Sequence, residues 1–337
     1  MKRLADRLHG CLAGLAIGDA MGAPGDLTPA LTRARHGKIE SFIEPAPDHP
    51  VHAGLKAGQV TDDTLQALTV IQSIIRSGGL SGDEVARSMV EWVDEIDGLE
   101  GEYLGPSTKQ AIQNLKQGVP YTLSGRWGWS NGAAMRIAPL GFLYPADIAA
   151  TVEAAREASL PTHGTNTAIS GAAAVACAVN QCTVEGSNVA DIVEAAKLGA
   201  SLGERHGASY VCPSISRRID FAVSLTRQDK PVEEIQQDLY DLVGTGLASY
   251  EVVPASLACL VMARGDPMKT IHLAINIGGD CDTLGAIGGA IAGAYAGISA
   301  FHQEDVSTIE RTNKLDLKAI TTSFLEVIQR LNGARGG

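Results

Sequence analysis

The sequence predicts an all-α fold, and three observations carry that expectation. Apolar residues recur with helical period almost throughout the chain. Alternating Val-, Ile- and aromatic-rich runs bounded by turns are nearly absent. Aromatics make up only 4% of the 337 residues, while glycine reaches 38. A core of that composition is filled by Ala, Leu, Ile and Val, with its elements packed close together. At 45% hydrophobic and 19% charged, the chain can bury such a core and lies far from the disordered class. No repeat of fixed period, low-complexity linker or composition break divides it, so residues 1–337 read as a single compact multi-helix domain.

Leu4, Leu8, Leu12, Leu15 and Ala16 form the first helical stripe, ending near Gly18. The basic start resembles a signal peptide, but Asp6, Arg7, His9 and Asp19 interrupt the apolar run, so a helix of the domain is expected there. Residues 62–76 read as a helix capped by Thr61, with Gly78 and Gly79 beyond its end. Ser81-Gly82-Asp83-Glu84 opens another, running to about Ile96. Further helices are expected at 106–117, 146–158, 165–181, 188–202, 231–247, 253–263, 267–275, 282–299 and 315–331. Loops are expected at 23–60, 119–134 and 205–217. The first two are longer than ordinary connections, which makes them functional candidates.

Residues 284–301 carry no charge, and Gly285, Gly289, Gly293 and Gly297 recur there every fourth residue. The run reaches the lower end of membrane-spanning length, about 18 residues, yet it begins directly after two aspartates. It reads as a close helix-packing seam in a soluble core. The formal net charge of −11 argues against nucleic-acid or anionic-membrane partners, which need basic patches. Six cysteines (Cys11, Cys177, Cys182, Cys212, Cys259 and Cys281) form no CxxC pair, as expected for free thiols in a reducing cytoplasmic setting.

Two segments can carry chemistry. Thr61-Asp62-Asp63-Thr64 and Gly278-Gly279-Asp280-Cys281-Asp282-Thr283 each open a helix. Capping and the helix dipole account for part of each. They account poorly for two aspartates and a threonine crowded behind two glycines. In an extended lead-in, Asp280 and Asp282 point to one side, and Cys281 points away. Four carboxylates converge only around a cation. With no His pair or Cys pair nearby, the donor set is all oxygen and selects Mg²⁺ or Mn²⁺, one ion or two. No P-loop, GxSxG elbow, HExxH or intact GxGxxG is present.

Five stretches then fall into a known order: GCLAGLAIGDAMGAP at 10–24, TDDT at 61–64, SNGAAMRIAPLG at 130–141, THG at 162–164 and GGDCDTLGAIGGAIAGA at 278–294. The chain resembles the ADP-ribosylglycohydrolases, which include the dinitrogenase-reductase-activating, ADP-ribosylarginine and ADP-ribosylserine hydrolases. The resemblance implies two Mg²⁺ (or Mn²⁺) ions held by Thr61, Asp62, Asp63, Asp280, Asp282 and Thr283, with one aspartate shared. It implies that Ser124, Gly125, Ser130, Asn131 and Gly132 contact the phosphates and distal ribose, and that His163 lies near the substrate. Family members often carry a Glu in GDAxGxPxE where this chain has Asp26. Asp19 reads as a structural buried acid. Trp127 and Trp129 flank Gly128; either Trp129 stacks on a nucleobase or the pair anchors the loop.

The implied reaction is hydrolysis of an N- or O-glycosidic bond to ribose, with metals orienting the ribose hydroxyls and polarising a water or the substrate. Asp26, Asp62, Asp63 and Asp282 are the catalytic candidates around developing oxocarbenium charge. ADP-ribosylated protein side chains are the implied substrate. The alternatives are a small ribosylated metabolite or nucleoside, and a non-catalytic ADP-ribose-binding protein.

Overall fold

The structure, a computed structural model, describes residues 2–25, 27–100 and 104–333. Among the described residues no β-strand forms, and extended pairing is limited to the isolated bridges Ser130–Ala248 and Thr165–Ala208. The chain opens with α1 (Lys2–Gly22) and crosses a long loop carrying α2 (Pro29–His36) to reach α3 (Asp62–Ser77). There follow α4 (Gly82–Glu95), α5 (Pro106–Lys116), α6 (Tyr121–Ser124), α7 (Gly132–Arg136) and α8 (Ile148–Ser159). Next come α9 (Asn166–Gln181), α10 (Val189–Gly203), α11 (Ile215–Leu225) and α12 (Val232–Asp238). The chain closes with α13 (Ser249–Met262), α14 (Pro267–Ile275), α15 (Cys281–Ala296), α16 (Gln303–Asn313) and α17 (Leu317–Gly333).

The expected all-α class is observed, with corrections to its elements. Helix α2 interrupts the loop expected over 23–60, and α6 and α7 lie within the one expected over 119–134. Helix α11 begins inside the loop expected over 205–217, and α16 falls where no element was expected. Helix α11 buries Ile215, Ile219, Ala222 and Val223 at helical spacing, but Arg217, Arg218 and Asp220 make its start look like a polar loop. The helix expected over 231–247 passes into a π-helical turn at Leu239–Val243 and stops there, because Gly244 takes φ +85°. The residues after it form a short connection to α13, which starts earlier than expected.

The centre of the fold is the antiparallel pair α1 and α15, the most extensive helix–helix contact among the described residues. Gly10, Gly14, Gly18 and Gly22 of α1 face Gly293, Gly289, Gly285 and Cys281 of α15 in turn. A Cβ placed on Gly14 would stand 2.1 Å from the Gly289 carbonyl oxygen, and one on Gly18 2.0 Å from that of Gly285. The helices therefore touch backbone to backbone, and only glycine fits. Gly297, expected on the same face, instead ends α15 with φ +85°. Ala-rich α9 and α13 pack around this pair in one continuous apolar core. No described helix is long and apolar enough to cross a membrane.

The seam also fixes the site. Register across it brings the C-terminal end of α1, with Asp19, beside the N-terminus of α15, with Asp280 and Asp282. Helix α3 is locked to the same point. Asp19 is fully buried and accepts hydrogen bonds from the Thr61 amide (3.0 Å to each oxygen), the Thr64 amide (3.1 Å) and the Thr64 hydroxyl (2.5 Å). Asp19 is thus a structural clamp joining the end of α1 to the start of α3.

Candidate active site

Helices α3 and α15 both begin at this junction, and their N-termini supply unpaired amides and positive dipole ends that favour carboxylates. Asp62 and Asp63 open α3; Asp280 and Asp282 straddle the start of α15. All four line one cavity of about 720 Å³. Gly278 and Gly279, at φ +91° and +89°, turn the chain so that the Asp280 amide donates to the Thr245 carbonyl (2.7 Å). At Gly279 a Cβ would meet the Thr245 oxygens at 2.4 Å, so no side chain is tolerated there.

Each carboxylate has a protein partner. Asp280 accepts from Asn131 Nδ2 at 2.6 Å, Asp62 from Gln66 Nε2 at 2.8 Å, and Asp282 pairs with His52 Nε2 at 3.0 Å. Thr61, fully buried, directs its hydroxyl to Asp63 at 3.4 Å. Asp63 Oδ1 is buried with no partner.

The electrostatics follow from crowding. Burial, with the charge of Asp282 next, pushes Asp62 up to about 7 and holds Asp63 well above the usual carboxylate range. Burial also lifts Asp19 to about 6 and holds Asp280 well above the usual carboxylate range, again with Asp282 adding repulsion. For Asp282 burial acts upward, but the His52 charge and hydrogen bond outweigh it and hold this one carboxyl low. His52 is raised in turn, because Asp282 overcomes the downward effect of burial.

Five carboxyls around one point, three buried and two half-buried, repel unless a cation neutralises them. Among the described residues no three His, Cys, Asp or Glu side chains are grouped to hold an ion as they stand. The donors are instead turned onto Asn131, Gln66 and His52. The chemistry of the set nonetheless fits a divalent ion: hard oxygens, mutual repulsion, and an unpaired buried Asp63 oxygen.

Of the residues singled out from sequence, Asp62, Asp63, Asp280, Asp282, Thr283, Ser130, Asn131 and Gly132 share the cavity wall, and Thr61 lies directly behind it. Ser124, Gly125, Trp129 and His163 stand back from it. Ser124 donates to the Pro161 carbonyl at 2.7 Å, and the Gly125 carbonyl accepts from the Gly164 amide at 2.7 Å. Trp129 stacks on Tyr210, ring centroids 6.3 Å apart, while the exposed Trp127 lies beneath Arg126. His163 is fully buried behind Gly132 and lies 3.0 Å from Ser130 Oγ and 2.8 Å from Thr162 Oγ1. Thr162 Oγ1 in turn accepts from the buried Arg136 at 2.6 Å. Burial, and then Arg136, keep His163 neutral, well below its usual range. This chain braces Ser130 at the wall. Asp26 lies outside the described residues.

Sequence reading missed His49 and His52, which enter from the loop before α3. His49 Nδ1 accepts the amides of His52 (2.9 Å) and Val51 (3.3 Å), so its proton sits on Nε2 and is donated to the Gly25 carbonyl at 3.0 Å. The expectation of no histidine pair near the carboxylates is therefore corrected: the loop folds back across the site. Also missed were Gly105, Pro106 and Thr108 at the start of α5 and Thr245, Gly246 and Leu247 ahead of α13, all on the wall. The signal available was two histidines spaced by three in a chain with 8.

Comparison with known proteins places these features in a wider group. A family model described as ADP-ribosylglycohydrolase matches residues 1–334. An uncharacterized protein of Escherichia coli (strain K12), YegU, is 31% identical over 328 residues, covering 96% of this chain and 98% of its own. The Homo sapiens ADP-ribosylhydrolase ARH3 is 27% identical over 361 residues, covering 94% and 93%. Among solved structures, an ADP-ribosylglycohydrolase-related protein complex superposes with a TM-score of 0.71 at 23% identity, covering 97% of this chain and 100% of that one. At that identity the structural match speaks to the fold.

Proposed function

Because the chain belongs to the ADP-ribosylglycohydrolase family, we propose that this glycosyl hydrolase cleaves the bond between ADP-ribose and a protein side chain at a divalent-cation centre. The observation that carries the reading is the convergence of Asp62, Asp63, Asp280 and Asp282 from two helix N-termini onto one cavity floor. Thr61, Asp62, Asp63, Asp280, Asp282 and Thr283 would hold two Mg²⁺ or Mn²⁺ ions. Bound there, the ions supply Lewis-acid polarisation of the ribose hydroxyls and the attacking water.

The chain's own residues do the rest. Departure of the leaving group builds oxocarbenium-like charge on the ribose, and the carboxylate floor stabilises it. Asp62 and Asp63 are the candidate general bases, with Asp26 as a further one. Asn131 fixes Asp280 through its 2.6 Å hydrogen bond. Ser130 and Gly132 present the loop before α7 to the substrate, with Ser124, Gly125, Trp129 and His163 supporting the nucleotide side. The buried cysteines, none in a disulfide, suit a cytoplasmic setting.

One observation favours a second reading. Among the described residues lining the cavity there is no Lys or Arg, so a pyrophosphate would meet no side-chain cation. A small ribosylated substrate without phosphate suits such a wall. The test is a panel with Mg²⁺ or Mn²⁺: proteins ADP-ribosylated on serine and on arginine, beside nucleosides. Release of free ADP-ribose from modified protein is the expected result; ribose release from nucleosides alone would replace the first reading with the second.

A further inference from the structure

We propose that His52 supplies an imidazole nitrogen to the cation centre, making it a mixed nitrogen–oxygen site rather than an all-oxygen one. The inference rests on the reading that Asp62, Asp63, Asp280 and Asp282 hold a divalent ion.

Three features of the structure lead there. His52 Nε2 lies 3.0 Å from Asp282 Oδ2, and both side chains are only 10% exposed. Two donors bound to one ion at about 2.1 Å and at right angles are themselves about 3.0 Å apart. The observed separation is that of a hydrogen bond, and it is also the spacing that two neighbouring ligands on an octahedral ion would keep, so an ion could replace the proton between them without moving either side chain far. Second, His52 Nδ1 is buried without a partner. The ring's polar tie is to Asp282, itself a proposed ligand. If Asp282 turned to an ion, no other polar group among the described residues would hold the imidazole, which could follow the carboxylate to the same charge.

Third, the loop is built to deliver this ring. His49 stacks on it with centroids 5.2 Å apart and planes 19° from parallel. Both His49 nitrogens are committed to backbone, one to the amides of Val51 and His52 and the other to the Gly25 carbonyl. His49 is thus a bracket, and His52 is the group it presents to the cavity. An imidazole donor shifts preference from Mg²⁺ towards Mn²⁺, Co²⁺ and Zn²⁺.

The test uses the full chain stripped with EDTA and loaded with Mn²⁺. Pulsed electron paramagnetic resonance should show ¹⁴N coupling from a directly bound imidazole, and His52→Gln should abolish it. By calorimetry the variant should lose about tenfold or more in Mn²⁺ affinity and less than about threefold in Mg²⁺ affinity. Mn²⁺ bound without ¹⁴N coupling, or coupling that persists in His52→Gln, overturns the inference and leaves the carboxylate site standing. Failure of Mn²⁺ to bind the wild-type chain overturns the underlying reading as well. If His52→Gln does not fold, His52→Ala takes its place, and absence of coupling in the wild type still decides against the inference.

Discussion

Asp282→Asn should abolish turnover, lowering kcat by roughly 10³-fold or more, the scale of losing a preorganised charge from a water-poor site. Asp282 is the carboxyl that stays ionised, and it sits between His52 and Asp280 at the start of α15. Its charge is also the principal neighbour that pushes up Asp62, Asp63 and Asp280. On the proposed reading, removing it takes away a cation donor and a stabiliser of positive charge at the ribose. The same change relieves repulsion among the remaining acids. The metal-free variant should therefore melt no lower than the metal-free wild type. What it loses is stabilisation by metal, which at 100 times the Kd is worth about 2.7 kcal/mol. Thermal melts with and without Mn²⁺, beside a turnover assay, check both halves. A variant with full activity and an intact metal-dependent rise in Tm would exclude the proposed role of Asp282.

The second large effect is on folding. Gly289→Val should destabilise the protein by at least about 3 kcal/mol, the upper end of overpacking costs. A Cβ on Gly289 stands 2.2 Å from the Gly14 carbonyl oxygen and 3.0 Å from Ile271 Cγ1. The first obstacle is backbone in the middle of α1, so relief requires the helices to separate. That separation opens the core and moves the start of α15 away from Asp19. Gly288→Ala, one residue earlier, is the control. Its nearest neighbour is Thr270 Cγ2 at 3.1 Å, and alanine gains up to about 1 kcal/mol in helix propensity. Its stability should stay within about 1 kcal/mol of wild type. Chemical denaturation of the two variants separates backbone contact from a general intolerance of side chains on α15.

How far the sequence shows all this depends on where each signal lies along the chain. The Thr61–Thr64 and Gly278–Thr283 clusters are legible because each is contiguous and opens a strongly apolar helix. The glycine period of α15 is legible too. Its partner, Gly10-Gly14-Gly18-Gly22, has the same four-residue spacing but is masked by the leucine stripe on the other faces of α1. Helix α11 was hidden by charge at its start, and the stop at Gly244 was hidden inside an otherwise helical pattern. His52 is the instructive omission. It stands in an aperiodic loop, and its nearness to Asp282 exists only because the Asp19 clamp, the seam and His49 fold that loop across two helix ends. Tertiary closure of this kind leaves no local period to read.

The central claim is that the aspartate floor cleaves ADP-ribosyl bonds only with a divalent cation. It is tested most directly by measuring ADP-ribose released from ADP-ribosylated protein by the EDTA-stripped chain, before and after adding back Mg²⁺ or Mn²⁺. Negligible release before addition and a rise of at least about 10²-fold after it is the predicted result. Equal release in both states, or none in either with metal bound, would contradict it.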